Sequence, residues 1–218
     1  MMKLLVDSAN LSQIKKLKNI FPVTGVTTNP SILAKESLLP QESLKEVNHL
    51  LGPNEEFHVQ VLSENAIEMK EEAYRLLDNY RDSLYVKIPV SEQGYKAIGM
   101  LSKEGVRVTA TAVFTVQQGI LASLAGADYI APYVNRIDNH NADGIELISK
   151  LSSFFEKEQI ETKILAASFK NTKQIEDALL HGAYSVTAPP SLVREMGSHT
   201  GTSDAIKGFK NDYSQAFK

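Results

Sequence analysis

Eight short runs rich in Val, Ile and Thr recur along the chain, each followed by a longer stretch with helical spacing. The runs span 3–9, 25–29, 57–62, 84–90, 107–114, 128–134, 163–169 and 184–189. Strands that alternate with helices form βα units around a parallel sheet. Eight such units within 218 residues fit one small (β/α)8 barrel, an α/β fold of the TIM type, over 1–218. A sequence with 43% hydrophobic and 22% charged residues has enough apolar material for that core.

The connecting segments carry matching signals. SENAIEMKEEAYRLLDNY (63–80) opens with Ser63 as an expected N-cap, and SEQGYKAIGMLSKEG ends on Gly105 as an expected C-cap. AGAD at 125–128 and HGAY at 181–184 read as tight returns from helix to strand. No linker or low-complexity tract suggests a second domain. An additional helix is expected at about 203–217, with Ile206, Phe209, Tyr213 and Phe217 at helical spacing.

Charge and composition exclude several function classes. Lys and Arg number 23 against 26 Asp and Glu, and no basic block is present to meet a nucleic acid or an anionic membrane. Lys15, Lys16 and Lys18 read as a solvated helix face. The start MMKLLVDSAN is too short for a signal peptide and no apolar run approaches about 18 residues, so a cytoplasmic location is expected. With no cysteine, thiol nucleophiles and thiolate metal sites are excluded. No phosphate-binding glycine motif or paired-histidine metal motif occurs. RIDNHNADG superficially resembles a calcium loop, but Ala142 stands at a ligand position and its glycine falls one place late, so a loop and helix cap are expected.

Strand parity then separates two sets of residues, because alternate side chains of a strand point to opposite faces. Val59, Val61, Val86, Ile88, Val108, Ala112, Ile130, Val134, Leu165 and Ala167 form an apolar set expected to face the helices. His58, Gln60, Tyr85, Lys87, Thr109, Thr111, Tyr133, Ala166 and Ser168 form the set expected inside. Lys87, in the middle of LYVKIPV, is the position that matters most. A buried lysine is either salt-bridged, with Asp7 as the expected partner, or a reactive amine. Lowering its pKa from about 10.4 to about 7 corresponds to roughly 4 to 5 kcal/mol, within the reach of burial. A free amine there attacks a carbonyl and forms a Schiff base. His58 reads as a satisfied core histidine or as a substrate contact.

VDSAN, GVTTNPSI, VKIPV, APYVNRID and AASFK, in this order, resemble the small transaldolase and fructose-6-phosphate aldolase family over essentially the whole chain. The resemblance implies a class I aldolase with neither metal nor organic cofactor, acting on sugar phosphates, with Lys87 as the Schiff-base lysine. It further implies that Asp7 binds hydroxyls and assists proton transfer, and that Thr28 and Asn29 hold the dihydroxyacetone unit. Thr111 and Gln60 would position a water, Tyr133 would serve as acid and base, and Arg136, Ser168 and Lys170 would bind the phosphate. Transaldolases that the chain resembles carry Glu at Gln60 and Phe at Tyr133, so the resemblance leans to fructose-6-phosphate aldolase, with transaldolase as the alternative. Thr109 departs from both patterns. A phosphosugar-binding barrel with an inert, salt-bridged Lys87 is the non-catalytic alternative. The family resemblance also implies a homo-oligomer, a decamer or pentamer, with the last helix against a neighbouring subunit.

Overall fold

A computed structural model of the chain describes residues 2–80 and 83–217. Strands β1 (Lys3–Asp7), β2 (Gly25–Thr27), β3 (Glu56–Gln60), β4 (Leu84–Pro89), β5 (Val108–Val113), β6 (Tyr129–Pro132), β7 (Lys163–Ala166) and β8 (Ser185–Ala188) pair in chain order. All pairings are parallel, and β8 closes on β1. The expected TIM barrel is therefore the fold, and no strand edge is left open.

Eleven helices accompany the strands among the described residues, and all but the last lie around the barrel. They are α1 (Leu11–Lys18), α2 (Pro30–Leu33), α3 (Pro40–Leu50), α4 (Ala66–Asn79), α5 (Glu92–Lys103), α6 (Val116–Leu124), α7 (Val134–Asp138), α8 (Gly144–Lys157), α9 (Thr172–Leu180), α10 (Pro190–Met196) and α11 (Thr200–Ala216). Their apolar faces meet the outward side chains of the sheet in one continuous core that includes Val59, Val86, Ile88, Val108, Ile130 and Val186. None of the helices is long and apolar enough to cross a membrane among the described residues.

Local chemistry sets the helix ends. Asn65, and not Ser63, caps α4 by accepting from the Ile67 N–H, while Ser63 is tied to Glu72 through both its N–H and its hydroxyl. Glu72 thus competes successfully for the serine. Asp143 caps α8 through two N–H groups and Asp138 accepts from Gly144, so the expected loop and cap lie at 139–143, whereas 136–138 form the end of α7. Gly126 and Gly182 sit at φ 98° and 104°, and a Cβ at either would lie 2.2 Å from the Ser102 or Ser152 hydroxyl. These are the two tight returns, open only to glycine.

Strand parity holds for β3, β4 and β6 and fails in two places. Leu165 packs inside the barrel against Leu5 and Tyr129, whereas Ala166 joins the outer core, the reverse of the expectation for β7. Ser168 lines the cavity without being in phase with the strand. Its backbone has φ 62°, so a left-handed kink beyond the strand end turns it inward out of phase. In β5 the register shifts between Ala110 and Val113, and Ala112 adopts φ 58°. Ala110 stays outward in phase with Val108, and the inserted residue makes Val113, in place of Ala112, the next outward core residue.

Candidate active site

At the carboxyl ends of the strands lies a cavity of about 190 Å3, lined by Asp7, Thr27, Asn29, Lys35, Lys87, Tyr133, Arg136 and Ser168 among others. Barrel enzymes hold their chemistry at this end, because side chains from many strand ends converge there.

Lys87 is the central group. It is 5% exposed, and its Nζ donates to the Thr28 carbonyl oxygen at 2.8 Å. Among the described residues no carboxylate lies within ion-pair distance of it. Burial pushes its pKa down, and the Asp7 charge pulls in the opposite direction without cancelling that shift. The salt bridge to Asp7 that the non-catalytic alternative requires is absent, and burial disfavours the charged form of the amine.

Asp7 instead accepts from Thr27 Oγ1 at 2.6 Å, and Thr27 in turn meets Thr187 Oγ1 at 2.7 Å. Burial holds the Asp7 carboxyl above the usual range despite Lys87 and Thr27. A carboxyl so placed is suited to exchanging a proton with a bound hydroxyl. Across the cavity, Tyr133 Oη and Thr111 Oγ1 lie 2.9 Å apart, and burial raises the phenol pKa. The Arg136 guanidinium, on α7, covers the Tyr133 ring at 4.8 Å.

Asn29 caps α2, its Oδ1 accepting from the Ile32 N–H at 2.9 Å, which leaves its amide N–H groups for a ligand in the cavity. Thr28 contributes by its carbonyl. Its hydroxyl donates to the His58 carbonyl, away from the cavity, and the inward threonine is Thr27. Gln60 is in register with Lys87 but lines an adjoining groove with Leu62, Ser63 and Pro89. Lys170 is exposed at the start of α9 and lies outside the lining, while Lys35, from the turn after α2, reaches the cavity rim. Thr27 and Thr187 follow strand parity and were legible in principle. Lys35 carries no periodic signal, because only the path of the α2 turn brings it over the mouth.

The sequence pattern described as Transaldolase/Fructose-6-phosphate aldolase matches residues 4–218. The chain belongs to this family. Lys87 stands on β4 and lines the cavity at the carboxyl ends of the strands. Solved structures with the same fold include an arginine-to-lysine mutant of flavocytochrome b2, at 12% identity and a TM-score of 0.61. A flavocytochrome b2 mutant with benzoylformate is similar at 13% identity and a TM-score of 0.59. Each match covers 88% of this chain, and this chain spans 57% of the first of those chains and 58% of the second. At such identity the likeness to these proteins shows the barrel alone.

Proposed function

We propose that this member of the family is a cytoplasmic aldolase that reversibly cleaves fructose 6-phosphate into dihydroxyacetone and glyceraldehyde 3-phosphate. The observation that carries the reading is Lys87, a buried amine with a lowered pKa, one carbonyl partner and an open cavity beside it.

The neutral Lys87 amine attacks the C2 carbonyl of the ketose, and the carbonyl oxygen takes up a proton to give a carbinolamine. Loss of water, with proton transfer assisted by Asp7, leaves an iminium cation. Removal of the C4 hydroxyl proton lets the C3–C4 electron pair flow into the iminium, which releases glyceraldehyde 3-phosphate and leaves an enamine on Lys87. Protonation of the enamine carbon through the Tyr133 and Thr111 hydroxyl pair, followed by hydrolysis, returns dihydroxyacetone and the free amine.

The phosphate is assigned to Arg136 and Ser168 at the rim, with Lys35 as the second cation. A guanidinium fork, a hydroxyl and an ammonium suit a dianion. Tyr133 favours release of dihydroxyacetone over its transfer, because a phenol beside the enamine supplies the proton that ends the three-carbon intermediate. The exposed stripe on α11 supports a homo-oligomer in which a second copy covers it.

Borohydride reduction in the presence of dihydroxyacetone tests the core of the reading, with a three-carbon mass adduct expected on Lys87. Absence of that adduct would refute it. Free dihydroxyacetone formed from fructose 6-phosphate alone marks an aldolase, whereas turnover that requires erythrose 4-phosphate marks a transaldolase.

A further inference from the structure

Immediately below the Lys87 layer the barrel holds a series of polar groups that the proposed reaction does not use. Lys3 Nζ lies 2.5 Å from Glu56 Oε1, Glu56 Oε2 lies 3.4 Å from His58 Nε2, and His58 Nδ1 lies 2.9 Å from Thr109 Oγ1. Tyr129 Oη donates to Glu56 Oε1 at 3.2 Å. His58 and Thr109 are fully buried, and an apolar floor would avoid the cost of desolvating them.

The direction of the protons follows from the chemistry. The Glu56 carboxylate only accepts, so His58 Nε2 carries the ring hydrogen. Burial, opposed by Glu56 and aided by the Lys87 and Lys3 ammoniums, lowers the imidazole pKa and keeps the ring neutral. Nδ1 is then an acceptor, and Thr109 must donate to it. The Thr109 lone pairs are left for the space around it.

Register places that oxygen beside the lysine. Thr109 is the direct neighbour of Lys87 across β4 and β5, and the His58–Thr109 bond runs from β3 to β5 across β4. It passes between the two inward side chains of β4. Tyr85 stacks on the imidazole at 4.7 Å with planes 9° apart, and Lys87 stands one layer higher. Charged and titratable groups around the ring are Lys3 from β1, Glu56 from β3, Tyr85 and Lys87 from β4, and Tyr129 from β6. Arg107 lies over the Tyr85 ring at 5.1 Å. Around Lys87 the others are Asp7, Lys35, Tyr133 and Arg136.

We propose that His58, acting through Thr109, is a positioning residue that sets the basicity of Lys87 and stabilises the positive charge on its nitrogen. Glu56 orients the imidazole, the imidazole orients the Thr109 hydroxyl by accepting its proton at Nδ1, and the Thr109 oxygen, in register with Lys87, keeps its lone pairs for that neighbour. The charge is that of the ammonium in the resting protein and, resting on the proposed function, that of the iminium during turnover.

The test is the pH titration of Lys87 by competitive acetylation with acetic anhydride, read by peptide mass spectrometry on the full chain. H58L and T109V should lower the midpoint by about half a unit or more. H58Q, whose amide donates to Glu56 and accepts from Thr109, should restore it. In parallel, borohydride trapping with dihydroxyacetone should slow roughly three- to tenfold in H58L and T109V. An unmoved midpoint in T109V overturns the proposal even if H58L fails to fold, and H58Q behaving like a well-folded H58L overturns the hydrogen-bonded route. Wild-type protein that forms no adduct refutes the aldolase reading, while the acetylation midpoint still decides the role of His58.

Discussion

Tyr133 Oη and Thr111 Oγ1 lie 2.9 Å apart, a hydrogen bond that joins β5 to the end of β6 across the cavity from Asp7. The phenol is thereby held in the wall of the cavity that Lys87 also lines. Tyr133→Phe removes the phenol proton and is expected to cut release of dihydroxyacetone roughly a hundredfold. Transfer of the three-carbon unit to erythrose 4-phosphate should fall less. Comparison of the two assays checks this, and equal losses would remove Tyr133 as the group that favours release.

Lys87→Met is expected to abolish turnover and to make the fold more stable at pH 7. The lysine pKa is lowered below 10.5 in the native protein, so the unfolded chain binds more protons in the window between the native value and 10.5. Stability of the wild type therefore rises with pH through that window, and the cost is full below it. Urea midpoints at pH 7 and pH 10 should show the advantage of the variant narrowing at the higher pH. A variant no more stable than wild type at pH 7 would contradict a cost of desolvating the ammonium.

Lys35 and Arg136 flank the mouth, and among the described residues neither has a carboxylate at ion-pair distance. Lys35→Ala and Arg136→Ala should each raise KM for fructose 6-phosphate about tenfold, the loss of one charge-assisted contact. Condensation of dihydroxyacetone with unphosphorylated glyceraldehyde should change little. Lys170→Ala serves as the comparison, and an effect as large as that of Lys35→Ala would move the phosphate site outward.

Glu56 has its pKa lowered to about 2 by the His58 and Lys3 contacts, which outweigh its burial. A depressed carboxyl contributes stability that is present above 4.5 and is lost as pH falls toward about 2. Glu56→Gln should cost about 1 to 3 kcal/mol at pH 7. Its stability should also fall less steeply than that of wild type on acidification. Parallel unfolding curves for the two proteins across pH 5 to about 2 would sink this account.

Ile206, Phe209, Tyr213 and Phe217 are 61 to 75% exposed along α11, and no residue of that helix is buried. The stripe does not pack on its own barrel. Phe209→Glu should reduce the assembled mass in sedimentation velocity if a second copy covers the stripe. An unchanged monomeric mass for wild type and variant alike would remove the oligomer.

The sequence by itself determined the barrel, since eight runs of strand composition separated by helical spacing admit few other closed arrangements. It also singled out Lys87, because a cation in an otherwise apolar strand is conspicuous, and strand period put Tyr133 and Thr111 on the same side as the lysine. Tertiary structure alone decided what breaks that period or comes from outside it. The left-handed Ser168 and the Ala112 insertion reset which residues face inward, and no residue count along the chain reveals a change in φ. Lys35 rather than Lys170 reaches the rim, and Thr28 meets the lysine through its carbonyl, because turn paths and backbone groups carry no side-chain pattern. The His58–Thr109 bond spans two strands 51 residues apart in sequence, and its reach is set by the stagger of a closed sheet.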